Sequence, residues 1–180
     1  MSKKKTALIL RAYACLDDVT PKKYDCGALC GGACCKNLSD GSEESGMLLL
    51  PGEKELLSVL FPDEYAFVEG DDCVLAVCKG RCTRAFRPFA CRVFPYYPRF
   101  DEAGRLVGIR QDIRAKRVCP LCAENVRVSP AFIRSVRRAV TILSADDEIK
   151  AELIKTAEFL DSLEEFAAQL GGQYSQHKRI

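Results

Sequence analysis

The last third of the chain has the most regular pattern of apolar and polar positions. A serine–proline pair at 129–130 suits the start of a helix, and apolar residues then recur every three or four positions as far as Leu143. A second run with this spacing extends from Ser144 to a glycine pair at 171–172, which is a helix-stop signal. Because two amphipathic helices with a short link usually pack within their own domain, the pattern predicts a helical hairpin over 129–172 rather than a helix that binds a protein partner.

The rest of the chain has shorter apolar runs separated by turn residues. Residues 47–50 predict a buried strand, and 51–62, bounded by prolines, predict a helix. The stretch FDEAGRLVGIRQDI predicts a β-hairpin that turns at 101–104. The apolar run at 7–16 fits either a buried helix or a strand. We expect a single α+β domain, in which a cysteine-rich half with short strands around a metal site is braced by the C-terminal helical hairpin.

Cysteine is the unusual residue of this composition. The chain has 180 residues, of which 48% are hydrophobic, and a chain of this kind can bury a core without covalent cross-links. Its eleven cysteines are therefore not explained by small size. No run of eighteen apolar residues occurs, so the sequence predicts no membrane span.

The first residues, MSKKKTALILRAYACLDD, have the basic start of a signal peptide. Arg11 interrupts the apolar stretch, however, and no cleavage site of small residues follows. We therefore expect a cytoplasmic protein. In that reducing compartment, clustered cysteines bind metal more often than they form disulfides.

Ten of the eleven cysteines form three groups: four at 26–35, four at 73–91 and two at 119–122. Zinc and iron–sulfur sites commonly use four thiolates drawn from loops that the fold brings together. We therefore predict a metal-binding region over 24–122. The remaining cysteine, Cys15, lies in an apolar stretch, where a free thiol behaves as a small hydrophobic side chain.

Two of these groups have the form of a family signature. The first group runs C-x3-C-x3-CC, and the second contains Cys82, an aromatic-Arg-Pro triplet at 86–88 and Cys-Arg-x-Phe-Pro at 91–95. These segments resemble the YkgJ-type cysteine-cluster family of zinc- or iron-chelating proteins. The family's first signature is tighter, C-x2-C-x2-CC, whereas its second matches this chain well. The resemblance covers roughly 24–122.

The resemblance implies a set of ligands. It includes either Cys73 or Cys78, and the spacing does not decide which of the two. Cys122 is an additional candidate because of the C-P-L-C spacing. The remaining implied ligands are Cys26, Cys30, Cys34, Cys35, Cys82, Cys91 and Cys119.

Flagellin lysine methylases carry a similar cluster, so a cluster-dependent modifying enzyme, such as a protein lysine methyltransferase, is an alternative. The sequence gives this alternative little support, because no G-x-G-x-x-G follows a predicted strand. The cysteine spacing of radical S-adenosylmethionine enzymes is also absent. The single histidine, His177, lies in the C-terminal tail, which disfavours a cysteine–histidine mechanism.

Residues 79–117 contain eleven Lys/Arg and three Asp/Glu, a balance of +8. A zinc module that contacts nucleic acid is one interpretation. A four-thiolate metal site is itself negatively charged, however, and nearby arginines can offset that charge and donate hydrogen bonds to sulfur. We favour this second interpretation, with Arg87 and Arg92 beside the metal ligands, and disfavour nucleic acid as a partner. The neighbouring aromatic residues are predicted to exclude water from the site.

The spacing also bears on which metal is bound. Structural zinc most often uses two C-x2-C pairs, whereas this chain has one, Cys119 and Cys122. Adjacent thiolates such as Cys34 and Cys35 have difficulty reaching one zinc ion tetrahedrally. We therefore expect an iron–sulfur cluster of the four-iron type in preference to zinc.

Overall fold

A computed structural model describes residues 2–22, 30–34, 46–78, 83–123 and 127–176. The described residues combine helices with two small antiparallel sheets, which confirms the predicted α+β class. Two short 3-10 helices, Arg84–Phe86 and Ile113–Arg117, accompany the main elements. In chain order, these elements are α1 (Lys3–Ala14), β1 (Met47–Leu48), α2 (Glu53–Leu60), β2 (Tyr65–Glu69), β3 (Val74–Cys78), α3 (Phe89–Val93), β4 (Tyr96–Phe100), β5 (Leu106–Gln111), α4 (Pro120–Ala123), α5 (Pro130–Leu143) and α6 (Asp147–Gln176).

The strands form two small antiparallel sheets. β3 lies between β1 and β2, with Met47 opposite Ala76 and Tyr65 opposite Cys78. β4 and β5 form the predicted hairpin, whose turn begins at Asp101. The Asp101 carboxylate accepts hydrogen bonds from the backbone N–H groups of Ala103 (3.1 Å) and Arg105 (2.9 Å). The turn is therefore fixed by local contacts, as its sequence predicts.

The N-terminal apolar run, which the sequence left open between helix and strand, is helical. Ser2 caps α1 by accepting a hydrogen bond from the backbone N–H of Lys5 at 3.1 Å. The buried face of α1, which includes Ile9 and Tyr13, packs against α5. Cys15 follows α1 and packs against the same core as a half-buried thiol.

The two C-terminal helices bury their apolar faces in this core. α5 begins at Pro130 as predicted and packs on α1 and on the β4–β5 hairpin, whereas α6 packs on β4. The predicted end of α6 at 171–172 was wrong, because the helix continues to Gln176. Glycine inside a helix costs about 1 kcal/mol and does not by itself end it. None of the described helices is both long and apolar enough to cross a bilayer.

Candidate metal centre

The first cysteine group is described at Cys30 and Cys34, and both residues are half-buried. Between them, Gly31 (φ 61°) and Gly32 (φ 70°) lie in the left-handed region, which side chains with a Cβ rarely adopt. The glycines therefore allow a sharp reversal between two cysteines. The other two predicted ligands of this group, Cys26 and Cys35, lie outside the described residues.

The second group is divided by a strand. Cys73 precedes β3 and is exposed, whereas Cys78 is the last residue of β3. Five residue steps of about 3.4 Å place their backbones about 17 Å apart. Two sulfurs on one zinc ion, each about 2.3 Å from the metal, cannot span that distance. One zinc ion therefore cannot bind both residues.

Other contacts show which end of β3 lies near the rest of the second group. Tyr65 is directly opposite Cys78, and its hydroxyl donates to the carbonyl oxygen of Phe86 at 2.8 Å. Phe86 belongs to the segment between Cys82 and Cys91, although Cys82 itself lies outside the described residues. Cys78 thus lies at the end of the strand that faces this segment, and Cys73 lies at the other end.

Arg92, one of the two arginines predicted beside the metal, follows Cys91 in α3 and is 2% exposed. Its Nε donates to the carbonyl oxygen of Arg87 (2.6 Å), and its Nη2 donates to that of Ala85 (2.7 Å). Its Nη1 forms an ion pair with Asp17. These contacts tie the segment before Cys91 to the end of α1. Arg87, the other predicted arginine, is half-buried and takes part through its backbone. A contact of either arginine with a metal-bound sulfur stays a prediction.

Near Arg92 lies a buried acid, Glu53, that the sequence analysis missed. Glu53, at the start of α2, has no exposed surface. Its Oε2 accepts from the backbone N–H of Leu50 (2.7 Å), and its Oε1 accepts from that of Phe89 (2.7 Å) and from the hydroxyl of Tyr13. Burial raises the pKa of Glu53, although these three donors oppose the shift. The Arg92 guanidinium lies 4.1 Å from the centre of the Tyr13 ring.

Arg84 is a second residue that the sequence analysis did not single out. Its guanidinium donates to the backbone carbonyl oxygens of Asp17 (3.0 Å), Leu16 (2.9 Å) and Val19. Together with Arg92, it fastens the segment between Cys82 and Cys91 to the turn after α1. Its position within the basic stretch was visible in the sequence, but its backbone partners were not.

The third group is compact. Cys119 directly precedes α4, and Cys122 lies within it. The backbone N–H of Cys122 donates to the carbonyl oxygen of Cys119 at 2.9 Å. Their thiols also form a hydrogen bond. Burial raises the pKa of the Cys122 thiol. The C-P-L-C spacing thus brings two potential ligands together.

One cavity of about 240 Å³, here called the aromatic cavity, lies beside the first cysteine group. Cys34 and Tyr96 both line it. Burial raises the pKa of Tyr96, and the nearby Cys122 and Cys119 raise it further. The other lining residues are Gly46, Met47, Leu48, Leu50, Leu75, Phe89, Ala90, Phe94, Tyr97, Asp112, Arg114, Val118 and Thr156.

No three Cys, His, Asp or Glu side chains among the described residues are close enough to hold one metal ion. The described part of the chain supplies a closely spaced pair of cysteines, Cys119 and Cys122. Three of the predicted ligands, Cys26, Cys35 and Cys82, belong to segments outside that part.

The fold and site define an α+β domain that contains three cysteine groups and an aromatic cavity, which Cys34 lines. A scan against family models, a search of curated proteins and a search of solved structures each found no match to this chain. The function proposed below is therefore supported by the chain's own residues and their geometry.

Proposed function

We propose that this protein binds a metal centre through cysteine thiolates. The favoured centre is an iron–sulfur cluster of the four-iron type, and the alternative is zinc. The observation that carries the proposal is the approach of the first and third cysteine groups. Cys34 and Val118 both line the aromatic cavity, and Val118 directly precedes Cys119, although 85 positions separate Cys34 from Cys119 in the sequence.

The donor set suits this chemistry. A metal replaces the proton on a coordinating thiol, and it stabilises the thiolate strongly enough to overcome the cost of burial at Cys122. Of Cys73 and Cys78, we assign Cys78 as the ligand, because it lies at the end of β3 that faces the segment before Cys91. A bound cluster would supply one-electron chemistry, whereas zinc would supply a structural cross-link.

The environment also fits a centre that must be held rigidly. Arg84 and Arg92 fix the segment before Cys91 through its backbone and through the end of α1. Ligands that are held in place before the metal binds lose less conformational entropy when it does.

The charge of the basic stretch supports metal binding in preference to nucleic-acid binding. Four of its arginines are in ion pairs with acids of this chain. Charge that is neutralised within the fold contributes little to a phosphate-binding surface. The paired arginines are Arg92, Arg105, Arg110 and Arg114.

Anaerobic purification followed by visible absorption and elemental analysis tests the proposal. We expect a brown protein with iron and acid-labile sulfide in equal amounts. Purification in air must be avoided, because zinc stands above ferrous iron in the affinity order and replaces it at thiolate sites. Cys119→Ser should lower the metal content, whereas Cys15→Ser is the matched control outside the site. Colourless protein with stoichiometric zinc would favour the zinc form, and protein that retains neither metal after reconstitution would refute metal binding.

A further inference from the structure

The size of the aromatic cavity suggests a second function. Protein interiors contain few voids larger than one water molecule, whose share of liquid volume is about 30 Å³. The aromatic cavity encloses about 240 Å³. An apolar cavity of about 150 Å³ stays dry and binds benzene. The space is therefore sufficient for an organic molecule larger than one benzene ring.

The wall of the cavity is mainly apolar. Phe89, Phe94 and Tyr96 present aromatic rings to it, and Leu48 and Leu50 present aliphatic side chains. Aromatic rings favour offset-stacked or edge-to-face contacts with another ring. This lining therefore suits a flat aromatic molecule.

One part of the wall is polar but carries no net charge. Asp112 is 3% exposed, and its carboxylate forms an ion pair with Arg114, which donates from Nη2 at 2.6 Å and from Nε at 3.0 Å. The Asp112 carboxylate also accepts from the backbone N–H of Arg114 at 2.9 Å, so these three donors leave one of its roughly four acceptor positions for a further hydrogen bond. The hydroxyl of Thr156 is hydrogen-bonded to Tyr97. A ligand that fits this environment is uncharged and carries one hydrogen-bond donor.

The cavity is not itself a set of metal ligands. Among its described lining residues, Cys34 and Asp112 have side chains that commonly bind metals, and the Asp112 carboxylate is already engaged by Arg114. We propose that the aromatic cavity binds a neutral bicyclic aromatic molecule whose single N–H or O–H group donates to Asp112. This binding site adjoins the proposed metal centre at Cys34, but its ligand would contact Asp112 and the aromatic wall rather than the metal.

Indole is a suitable probe because the chain contains no tryptophan. The fluorescence of indole can therefore be followed selectively during its titration with the metal-loaded protein. We expect a saturable change in indole emission, together with NMR shifts that centre on Leu48, Phe89 and Tyr96. The absence of saturable binding, or shifts elsewhere on the protein, would overturn the proposal.

Filling the cavity provides the matched test. Ala90 lines the cavity from α3, so Ala90→Leu should occupy the space and abolish the indole response. Ala151→Leu makes the same change at an exposed position of α6 and should bind indole like the parent protein. Should Ala90→Leu fail to fold, Leu48→Phe takes its place. Undiminished binding by the filled variant, or equal loss in both variants, would refute the assignment.

Metal content is measured in the same samples. We expect equal metal in the parent protein, Ala90→Leu and Ala151→Leu, because none of these changes replaces a proposed ligand. A protein that binds indole but no metal would refute the proposed metal function alone, and a protein that binds metal but no indole would refute the cavity assignment alone.

Discussion

Replacing Arg92 with alanine should destabilise the protein far more than the loss of a surface arginine. The side chain is almost completely buried, and its three nitrogens bond the carbonyl oxygens of Ala85 and Arg87 and the carboxylate of Asp17. Its guanidinium also lies over the face of Tyr13. The change therefore leaves two carbonyl oxygens without their donor and opens a cavity in the core.

The magnitude follows from these contacts. Each hydrogen bond from a charged donor contributes about 1.5–3 kcal/mol, and the contact with the Tyr13 ring contributes about 0.5–2 kcal/mol. The ion pair with Asp17 adds about 0–1 kcal/mol, because the Asp17 side chain is 49% exposed. Allowing for relaxation, we expect Arg92→Ala to lower the free energy of unfolding by about 3–5 kcal/mol, as is typical when one partner of a buried charged network is removed.

Urea unfolding followed by circular dichroism measures this loss at constant metal loading. Arg99→Ala, at an exposed position of β4, is the control and should change stability by about 0.5 kcal/mol or less. Arg92→Lys should be intermediate, because one ammonium group cannot reproduce the planar fork of donors. A loss of under about 1 kcal/mol for Arg92→Ala would refute the stabilising role of Arg92, because its hydrogen bonds to Ala85 and Arg87 alone imply more.

Three further predictions follow from the structure. Cys78→Ser should lower the metal content measured by elemental analysis, whereas Cys73→Ser should leave it unchanged; the reverse result would contradict the assignment in β3. Because the pKa of Glu53 is raised in the folded state, its protonation stabilises the fold below the ordinary glutamate pKa of 4.5. This contribution is lost as pH rises through the folded-state pKa. In urea titrations, the stability of the parent relative to Glu53→Gln should therefore fall over that window. Equal pH profiles would count against a buried, titrating Glu53. Chelation under reducing conditions should melt much of 24–122 while helices within 130–170 partly survive, as amide NMR would show; an unchanged spectrum after complete metal removal would contradict this.

The sequence determined the elements whose signals are local. α5 starts at the predicted proline, because proline suits the first turn of a helix and the apolar spacing that follows provides one face to bury. The β4–β5 hairpin turns where predicted because Asp101 bonds the backbone of the same turn. The glycines between Cys30 and Cys34 likewise have the positive φ angles that their residue type allows.

Only the tertiary structure decided which polar residues are buried and what they hold. In the sequence, Glu53 resembles any acid in the first turn of a helix, yet its partners Tyr13 and Phe89 lie 40 and 36 positions away. Arg92 similarly depends on Asp17, which lies 75 positions earlier. A buried charge is tolerated only where the fold supplies hydrogen-bond partners, and local periodicity carries no information about partners so distant in the chain. The aromatic cavity was hidden for the same reason, because its walls come from separate strands and helices and exist only once these have packed together.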